Sequence, residues 1–307
     1  MSETPVDFDP FRSGEIARTT PSTEPQREII SSALLGDAAN IAFNEAISIR
    51  FRSPIDAQRI EGVLRTIVGR HDSLRTTFTR TGDEMCISED VLFDLETVRM
   101  SDRDGTDAKS FVSDVWKELV SRPMNLFDGP LFHACLVELP DDESELVILA
   151  HHIICDGWSF YVILEELVAL LNAEEQLPAQ QSFADFAERQ RAEESSNAAI
   201  AFWLETYKDS VPELDLPTDR ARPPERSFDA ARLDYVFDST ATESIKELAK
   251  SCRATVVQTT FAAVATLLHK LSSTEDVAIG LPVARQSTDS LHRMVGHAVQ
   301  LLPIRLD

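Results

Sequence analysis

The apolar positions of this chain alternate between two spacings. Between residues 47 and 51, apolar and polar side chains take turns, which predicts a half-buried strand. Ser53 and Pro54 then supply an N-cap and a proline typical of the first helical position. The apolar residues that follow recur at helical spacing and predict one helix face: Ile60, Val63, Leu64, Ile67 and Val68. The chain therefore starts as strand and helix, and residues 76–78 favour a further strand.

The same alternation continues through the middle of the chain. Residues 107–120 have helical spacing, with apolar side chains on one side. Residues 131–139 and 145–152 predict two strands, paired across a turn at residues 140–142. A further amphipathic helix is predicted from the apolar residues Phe160, Ile163, Leu164, Leu167, Val168 and Leu171. Helical patterns then continue to about residue 209.

A change of composition divides the chain. Residues 214–228, LDLPTDRARPPERSF, hold three prolines among charged side chains and predict an extended crossover linker. The alternation then restarts, with a strand at ARLDYVF, helices at TESIKELAKSC and VVQTTFAAVATLLHKL, and strands at DVAIGLPV and AVQLLPIRL. We therefore predict an α/β protein of the two-layer α+β kind. Residues 1–15 would be a tail or linker remnant, 16–213 a first lobe and 229–307 part of a second.

Composition narrows the classes of function. The 307 residues suffice for two domains, and 43% hydrophobic with 26% charged residues is ordinary for a globular protein. The formal net charge of −23 makes nucleic acid and anionic membrane surfaces poor partners. Four cysteines without a CxxC pair predict neither a disulfide framework nor a zinc site. Because no apolar run has the length of a membrane span and no signal-peptide core is present, we expect a soluble cytoplasmic protein.

The main chemical signal is the stretch HHIICDGWSF, residues 151–160, at the end of a predicted strand. His151 and His152 are neighbours on that strand, so their side chains point to opposite faces and do not share a metal ion. Both histidines could simply be polar groups packed under a helix. We favour a ligand site, because strand-to-helix turns bring backbone N–H groups and side chains together and Gly157 permits close approach.

The pattern HHxxxDG in this stretch resembles the signature of the condensation domains of nonribosomal peptide synthetases, relatives of chloramphenicol acetyltransferase. Other segments, in the same order, are similar to that family: RHDSLRTTF, PMNLFDGPLFHACLVEL, QSFADFAERQ, FWLETYKD and LDLPTDRARPP. The resemblance covers about residues 16–305. In MVGHAVQLLPIR, Ala298 and Gln300 replace the usual phenylalanine and asparagine, a form more similar to domains of hybrid polyketide–peptide assembly lines. Because the family continues further, we expect a C-terminally truncated chain.

The resemblance implies amide-bond formation between an upstream carrier-bound acyl or peptidyl thioester and the amine of a downstream aminoacyl thioester. It implies two acetyltransferase-like lobes in a V, with a tunnel between them. Donor and acceptor peptidyl carrier proteins, or an acyl carrier protein, would be partners, beside an adjacent adenylation domain. The carriers would supply the phosphopantetheine arms, so no intrinsically bound cofactor and no metal are expected. The setting would be secondary metabolism, such as antibiotic biosynthesis.

The resemblance also implies roles for the residues of the signature. His152 would face the tunnel as the base, or as the positioning hydrogen-bond partner of the attacking amine. The backbone N–H of Gly157 is a candidate oxyanion donor. His151 would pack structurally, and Cys155 would be an inert buried thiol. Candidate tunnel-lining residues are Trp158, Trp203 and Gln300.

Asp156 is expected to support the site and not to take part in the chemistry. By motif position it would pair with Arg70, whose planar guanidinium binds a carboxylate at two points. Arg305 or solvent are rival partners. If the pair is buried, losing Asp156 should look like misfolding rather than slow chemistry. Ser159 is the predicted N-cap of the following helix.

Other functions stay open on the sequence. An epimerisation domain shares the signature, and its base would abstract an α-proton. A free-standing acyltransferase of the same fold is a further alternative. A non-catalytic carrier-docking fragment belongs to a different class, although such members usually lose the second histidine of the signature. Heterocyclisation domains carry aspartate at the first histidine, so His151 argues against them.

Overall fold

A computed structural model describes residues 15–91, 93–100, 107–173, 176–193, 197–221, 223–287 and 291–306. The predicted tail at 1–15 thus lies almost wholly outside the described residues. The chain combines strands with helices, which confirms the α/β class. The strands are β1 Ile16–Pro21, β2 Asn44–Phe51, β3 Thr76–Phe78, β4 Glu84–Ser88, β5 Glu96–Arg99, β6 Phe132–Glu138, β7 Ser144–His151, β8 Val277–Ala284 and β9 Val299–Leu306. The helices are α1 Glu24–Ala33, α2 Asp37–Ile41, α3 Ala57–Arg70, α4 Ala108–Val120, α5 Gly157–Leu171, α6 Phe183–Glu193, α7 Asn197–Thr206, α8 Ser239–Ser251 and α9 Val256–Ser272.

The chain forms two compact units. Unit 1 combines residues 1–194 with 284–300, and unit 2 combines 195–283 with 301–307. The predicted lobe boundaries at 213 and 229 were drawn where composition changes along the chain. The observed division differs because the segment 284–300 returns to the core of unit 1. Its apolar side chains that are buried there are Leu291, Met294, Val295 and Ala298.

Unit 1 is built on a four-stranded sheet with the order β2-β7-β6-β5. β7 pairs antiparallel with both of its neighbours, and β5 runs parallel to β6. A smaller sheet has the order β1-β4-β3. Helices α3 and α5 lie against one another and bury apolar faces in the same core as β7. Six residues of β7, Leu146 to His151, are buried, so this central strand holds His151 in the core and ends just before the half-buried His152.

Two local predictions are wrong. Helix α3 begins at Ala57, and its N-cap is Asp56, whose side chain accepts from the Gln58 N–H at 3.0 Å, so Ser53 and Pro54 lie before the helix. The segment ARLDYVF, predicted as a strand, has no regular structure, and Leu233 within it is 96% exposed. None of the described strands pairs with this segment, and an unpaired backbone has no ladder to define a strand.

Unit 2 contains the helices α8 and α9 and most of the paired strands β8 and β9. These four elements follow the predicted ones to within a few residues. The side chain of Arg305 bonds Asp276 at 2.9 Å through its Nε, so Arg305 is not the partner of Asp156. Among the described helices, none is long and apolar enough to cross a membrane.

Candidate active site

The histidine pair stands where β7 leaves the sheet. The N–H of His151 donates to the carbonyl of Leu131 at 2.9 Å, and the N–H of His152 donates to the carbonyl of Phe43 at 2.7 Å. Residues 152–155 then turn the chain, and α5 begins at Gly157. Because backbone bonds hold both sides of the strand end, the two imidazoles project from fixed positions on opposite faces.

His151 is a core residue. Its side chain is fully buried and packs beside the ring of Phe43. Burial, helped by the charge of neighbouring His152, lowers the pKa of His151 to about 3. The imidazole is therefore neutral at ordinary pH.

His152 is oriented differently and is 26% exposed. Its Nδ1 lies 2.9 Å from the carbonyl oxygen of Cys155. Because a carbonyl only accepts, Nδ1 carries the proton, and the lone pair of the neutral ring is on Nε2. No described residue hydrogen-bonds this Nε2. When the ring is neutral, its basic Nε2 is thus free to meet a ligand.

A carboxylate that the sequence did not single out lies next to His152. The Oε2 atom of Glu45 is 3.3 Å from the His152 Nδ1. Strand register explains the contact, because Glu45 pairs with Ala150 and Phe43 bonds His152, which puts the two side chains on one face. Burial opposes protonation of His152, but Glu45, the Cys155 carbonyl and the charge of Asp156 together outweigh it and raise its pKa.

A third imidazole completes the cluster. The ring of His297 meets that of His152 edge-on, with 4.5 Å between their centroids. His297 is only 6% exposed, and its buried Nδ1 has no partner among the described residues. Burial, and then the charge of His152, lowers the pKa of His297 to about 4, so it too is neutral. The segment MVGHAVQLLPIR was identified from the sequence, but nothing in the spacing linked this histidine to His152.

Asp156 is placed as a structural residue, but its predicted partner is wrong. Its Oδ1 accepts from the Ser159 N–H at 2.8 Å and from the Ser159 hydroxyl at 2.7 Å. Its Oδ2 accepts from the side-chain amide of Gln286 at 3.0 Å and from the Ala298 N–H at 3.1 Å. Asp156 itself is the N-cap of α5, the role predicted for Ser159. With four donors, this buried carboxylate needs no guanidinium.

Arg70 bonds a different acid. Its Nε and Nη2 each lie 3.1 Å from an oxygen of Glu166, which is itself buried and also contacts the ring of His71. Glu166 stands ten residues after Asp156 on α5, or roughly 15 Å along the helix axis. Arg70 at the end of α3 therefore reaches the middle of α5 and not its start. The pair of Arg70 with Asp156 that motif position predicted is therefore wrong, since Arg70 pairs with Glu166.

The other predicted residues occupy varied positions. Gly157 is exposed at the first position of α5, and a Cβ there would meet nothing within 4 Å. Trp158 donates from its Nε1 to the carbonyl of His292 at 3.0 Å. Trp203, in unit 2, stacks on Tyr207, and Gln300 is half-buried on β9. Tunnel lining by Trp158, Trp203 and Gln300 stays a prediction.

Two kinds of chemistry find no support in this cluster. The described residues include no group of three His, Cys, Asp or Glu side chains able to hold a metal ion. Cys155 is completely buried, and burial raises the pKa of its thiol well above the ordinary value, so it is a poor nucleophile.

The histidine-bearing strand end thus lies in a mixed α/β fold, and comparison with known proteins identifies the family to which the chain belongs. The family model for the condensation domain matches residues 16–307. This chain belongs to the condensation-domain family.

Its relatives are far longer than the chain itself. A component of linear gramicidin synthase from Brevibacillus parabrevis is 31% identical over 295 residues, which is 92% of this chain but 4% of the relative. Bacitracin synthase 3 of Bacillus licheniformis is 29% identical over 274 residues, or 88% of this chain and 4% of the relative. The chain therefore spans a small part of the synthases that it matches.

Solved structures agree on the fold. The condensation domain from the Monacolin K polyketide synthase MokA superposes with a TM-score of 0.80 at 22% identity, over 95% of this chain and 68% of that one. The four-domain nonribosomal peptide synthetase AB3403 gives a TM-score of 0.83 at 19% identity, over 95% of this chain and 22% of that one. At these identities the likeness shows the chloramphenicol acetyltransferase-like fold alone.

Proposed function

We propose that this chain catalyses amide-bond formation between an upstream carrier-bound acyl or peptidyl thioester and the amine of a downstream carrier-bound aminoacyl thioester. The observation that carries the proposal is the state of His152 in a chain of the condensation-domain family. Its Nδ1–H is held by the Cys155 carbonyl, so its basic Nε2 is available to an amine.

The reaction needs one proton to move from nitrogen to sulfur. The amine nitrogen attacks the thioester carbonyl carbon, the C–N bond forms, the C–S bond breaks, and the thiol leaves. Nε2 of His152 takes the proton that the nitrogen loses and returns it to the departing sulfur. The N–H of Gly157, an exposed residue at the start of α5, is the proposed donor to the oxyanion of the tetrahedral intermediate.

Positioning of the reactants and proton transfer each contribute to the rate of the proposed reaction. An α-amino group has a pKa near about 8, so part of it is already free base at neutral pH. Holding two reactants in register supplies effective molarities of about 10⁵ M or more. General base catalysis adds a further factor of about 10²–10⁴. Both contributions are therefore large enough to measure separately.

The proposal includes partners and location. Peptidyl or acyl carrier proteins would present the two thioesters on phosphopantetheine arms, with an adenylation domain loading the acceptor. The arms are part of the substrates and not a resident cofactor. Each curated relative named above is a synthase or part of one, which supports this setting. Work on carrier-bound intermediates would place the protein in the cytoplasm.

The test combines this chain with two loaded carrier proteins and follows amide formation by mass spectrometry. We expect product with the wild type and a loss of about 10²–10⁴-fold with His152→Ala. The matched control is His133→Ala, because His133 lies on β6 outside the His152 cluster. Carrier binding measured by fluorescence anisotropy should be unchanged in both variants.

Each alternative function gives a different result in the same assay. Carrier binding without any amide product would favour a docking domain and would overturn the proposal. Incorporation of solvent deuterium at the α-carbon of the aminoacyl group, again without amide, would indicate epimerisation. Amide formation that does not depend on one of the carriers would indicate a free-standing acyltransferase.

A further inference from the structure

Glu45 has no evident structural role at its position. It makes no hydrogen bond or ion pair with any described residue other than His152. The register of β2 against β7 is already fixed by eight consecutive residue pairs, so the strand does not need this side chain. Its side chain is 36% exposed, which leaves the carboxylate near water as well as near the imidazole.

Two different groups therefore act on the same nitrogen of His152. The carbonyl oxygen of Cys155, at 2.9 Å, accepts the Nδ1–H and fixes the tautomer. The Oε2 atom of Glu45, at 3.3 Å, brings a negative charge close to the ring. A carbonyl orients the ring but carries no net charge, whereas a carboxylate also favours the imidazolium over the imidazole.

We propose that Glu45 is a positioning residue: it makes His152 a proton acceptor in the reaction, and not only a hydrogen-bond partner of the amine. In this arrangement Cys155 sets which nitrogen is basic, and Glu45 stabilises the imidazolium that forms when Nε2 takes the proton. The inference rests on the proposed function, and it adds the role that His152 plays there.

The surroundings of His152 are consistent with this assignment. Asp156 also favours the charged ring, but its carboxylate is already committed to four donors. His151 and His297, which flank His152 from β7 and from the segment before β9, are neutral because burial lowers the pKa of each. Glu45 is therefore the adjacent charged group that can be removed without removing a structural bond.

The expected size of the effect is modest. Both partners are about one-quarter to one-third exposed, and ion pairs at such exposure change an equilibrium by about two- to fivefold. The rate at the pH plateau should fall by a similar factor in Glu45→Gln, because a weaker base removes the proton less readily. This loss is much smaller than that expected for His152→Ala, so the two variants are distinguishable.

Two measurements on Glu45→Gln test the proposal. NMR titration of the histidine ring nitrogens follows the tautomer and the pKa of His152, with His152→Ala assigning the signal. We expect the pKa to be lower than in the wild type and Nδ1 to stay protonated, because the Cys155 carbonyl is still present. The acid limb of the pH–rate profile should move to lower pH by the same amount.

The matched control is Glu145→Gln, which removes an ion-paired carboxylate from β7 in the same sheet and leaves His152 untouched. Its His152 titration and pH–rate profile should equal those of the wild type. An unchanged His152 pKa in Glu45→Gln would overturn the proposal, and so would a lowered rate with an unmoved acid limb. If the wild type forms no amide at all, the proposed function fails instead, and the titration alone still decides whether Glu45 acts on His152.

Discussion

Replacing Asp156 by alanine tests how the site is held together. The change removes the N-cap of α5, worth about 1 kcal/mol, and deprives the buried Ala298 N–H of its acceptor, at about 1–3 kcal/mol. The side-chain amide of Gln286 keeps a second acceptor, the Gly296 carbonyl at 3.3 Å, so the loss of its bond to Asp156 costs only about 1 kcal/mol more. We expect unit 1 to lose about 3–5 kcal/mol, a large part of the stability of an ordinary domain.

Native-state amide exchange, read on peptides of β6 and β7, measures this loss within unit 1. The matched control is Asp56→Ala, which removes an exposed N-cap with one bond and should cost about 1 kcal/mol. Equal losses in the two variants would refute the reasoning. Because Arg70 and Asp156 share no partner, their alanine variants should be additive within about 0.5 kcal/mol, and a larger coupling would restore the motif-based pairing.

Three further changes have defined outcomes. Gly157→Ala should fold like the wild type, since its Cβ meets no atom, but should slow amide formation by crowding the approach to α5; an unchanged rate would contradict a close approach of the intermediate to residue 157. Gly296→Ala should lower the free energy of unfolding measured by amide exchange by about 1–3 kcal/mol, because its Cβ would overlap the ring of Phe183; wild-type stability would contradict it. Acidification from pH 6.5 to 5 should lower the free energy of unfolding by about 3 kcal/mol. Burial lowers the pKa values of His151 and His297 to about 3 and 4, so only the unfolded chain takes up both protons in this range. The raised pKa of His152 changes the free energy of unfolding mainly above pH 6.5, outside this window. A free energy of unfolding that stays constant between pH 6.5 and 5 would therefore refute the assignment of His151 and His297 as buried neutral residues.

The sequence determined the local elements of this protein and the position of its histidine pair. Apolar runs joined by a turn predicted β6 and β7, and helical spacing predicted α4 and α9, because these patterns are set by neighbouring residues alone. The same reasoning placed His151 and His152 at a strand end on opposite faces. It failed at ARLDYVF, where the pattern is present but no described strand lies alongside to complete the ladder.

Only the tertiary structure decided the partners at the site. Asp156 is held by residues 130 and 142 positions further along the chain, and no local pattern encodes such contacts. Glu45 reaches His152 through the register of β2 on β7, and a shift of that register by one residue would turn its side chain to the other face. His297 meets His152 because the segment 284–300 returns to unit 1. The physical reason is that spacing along the chain specifies which face a side chain occupies, whereas sheet pairing and core packing specify what it meets there.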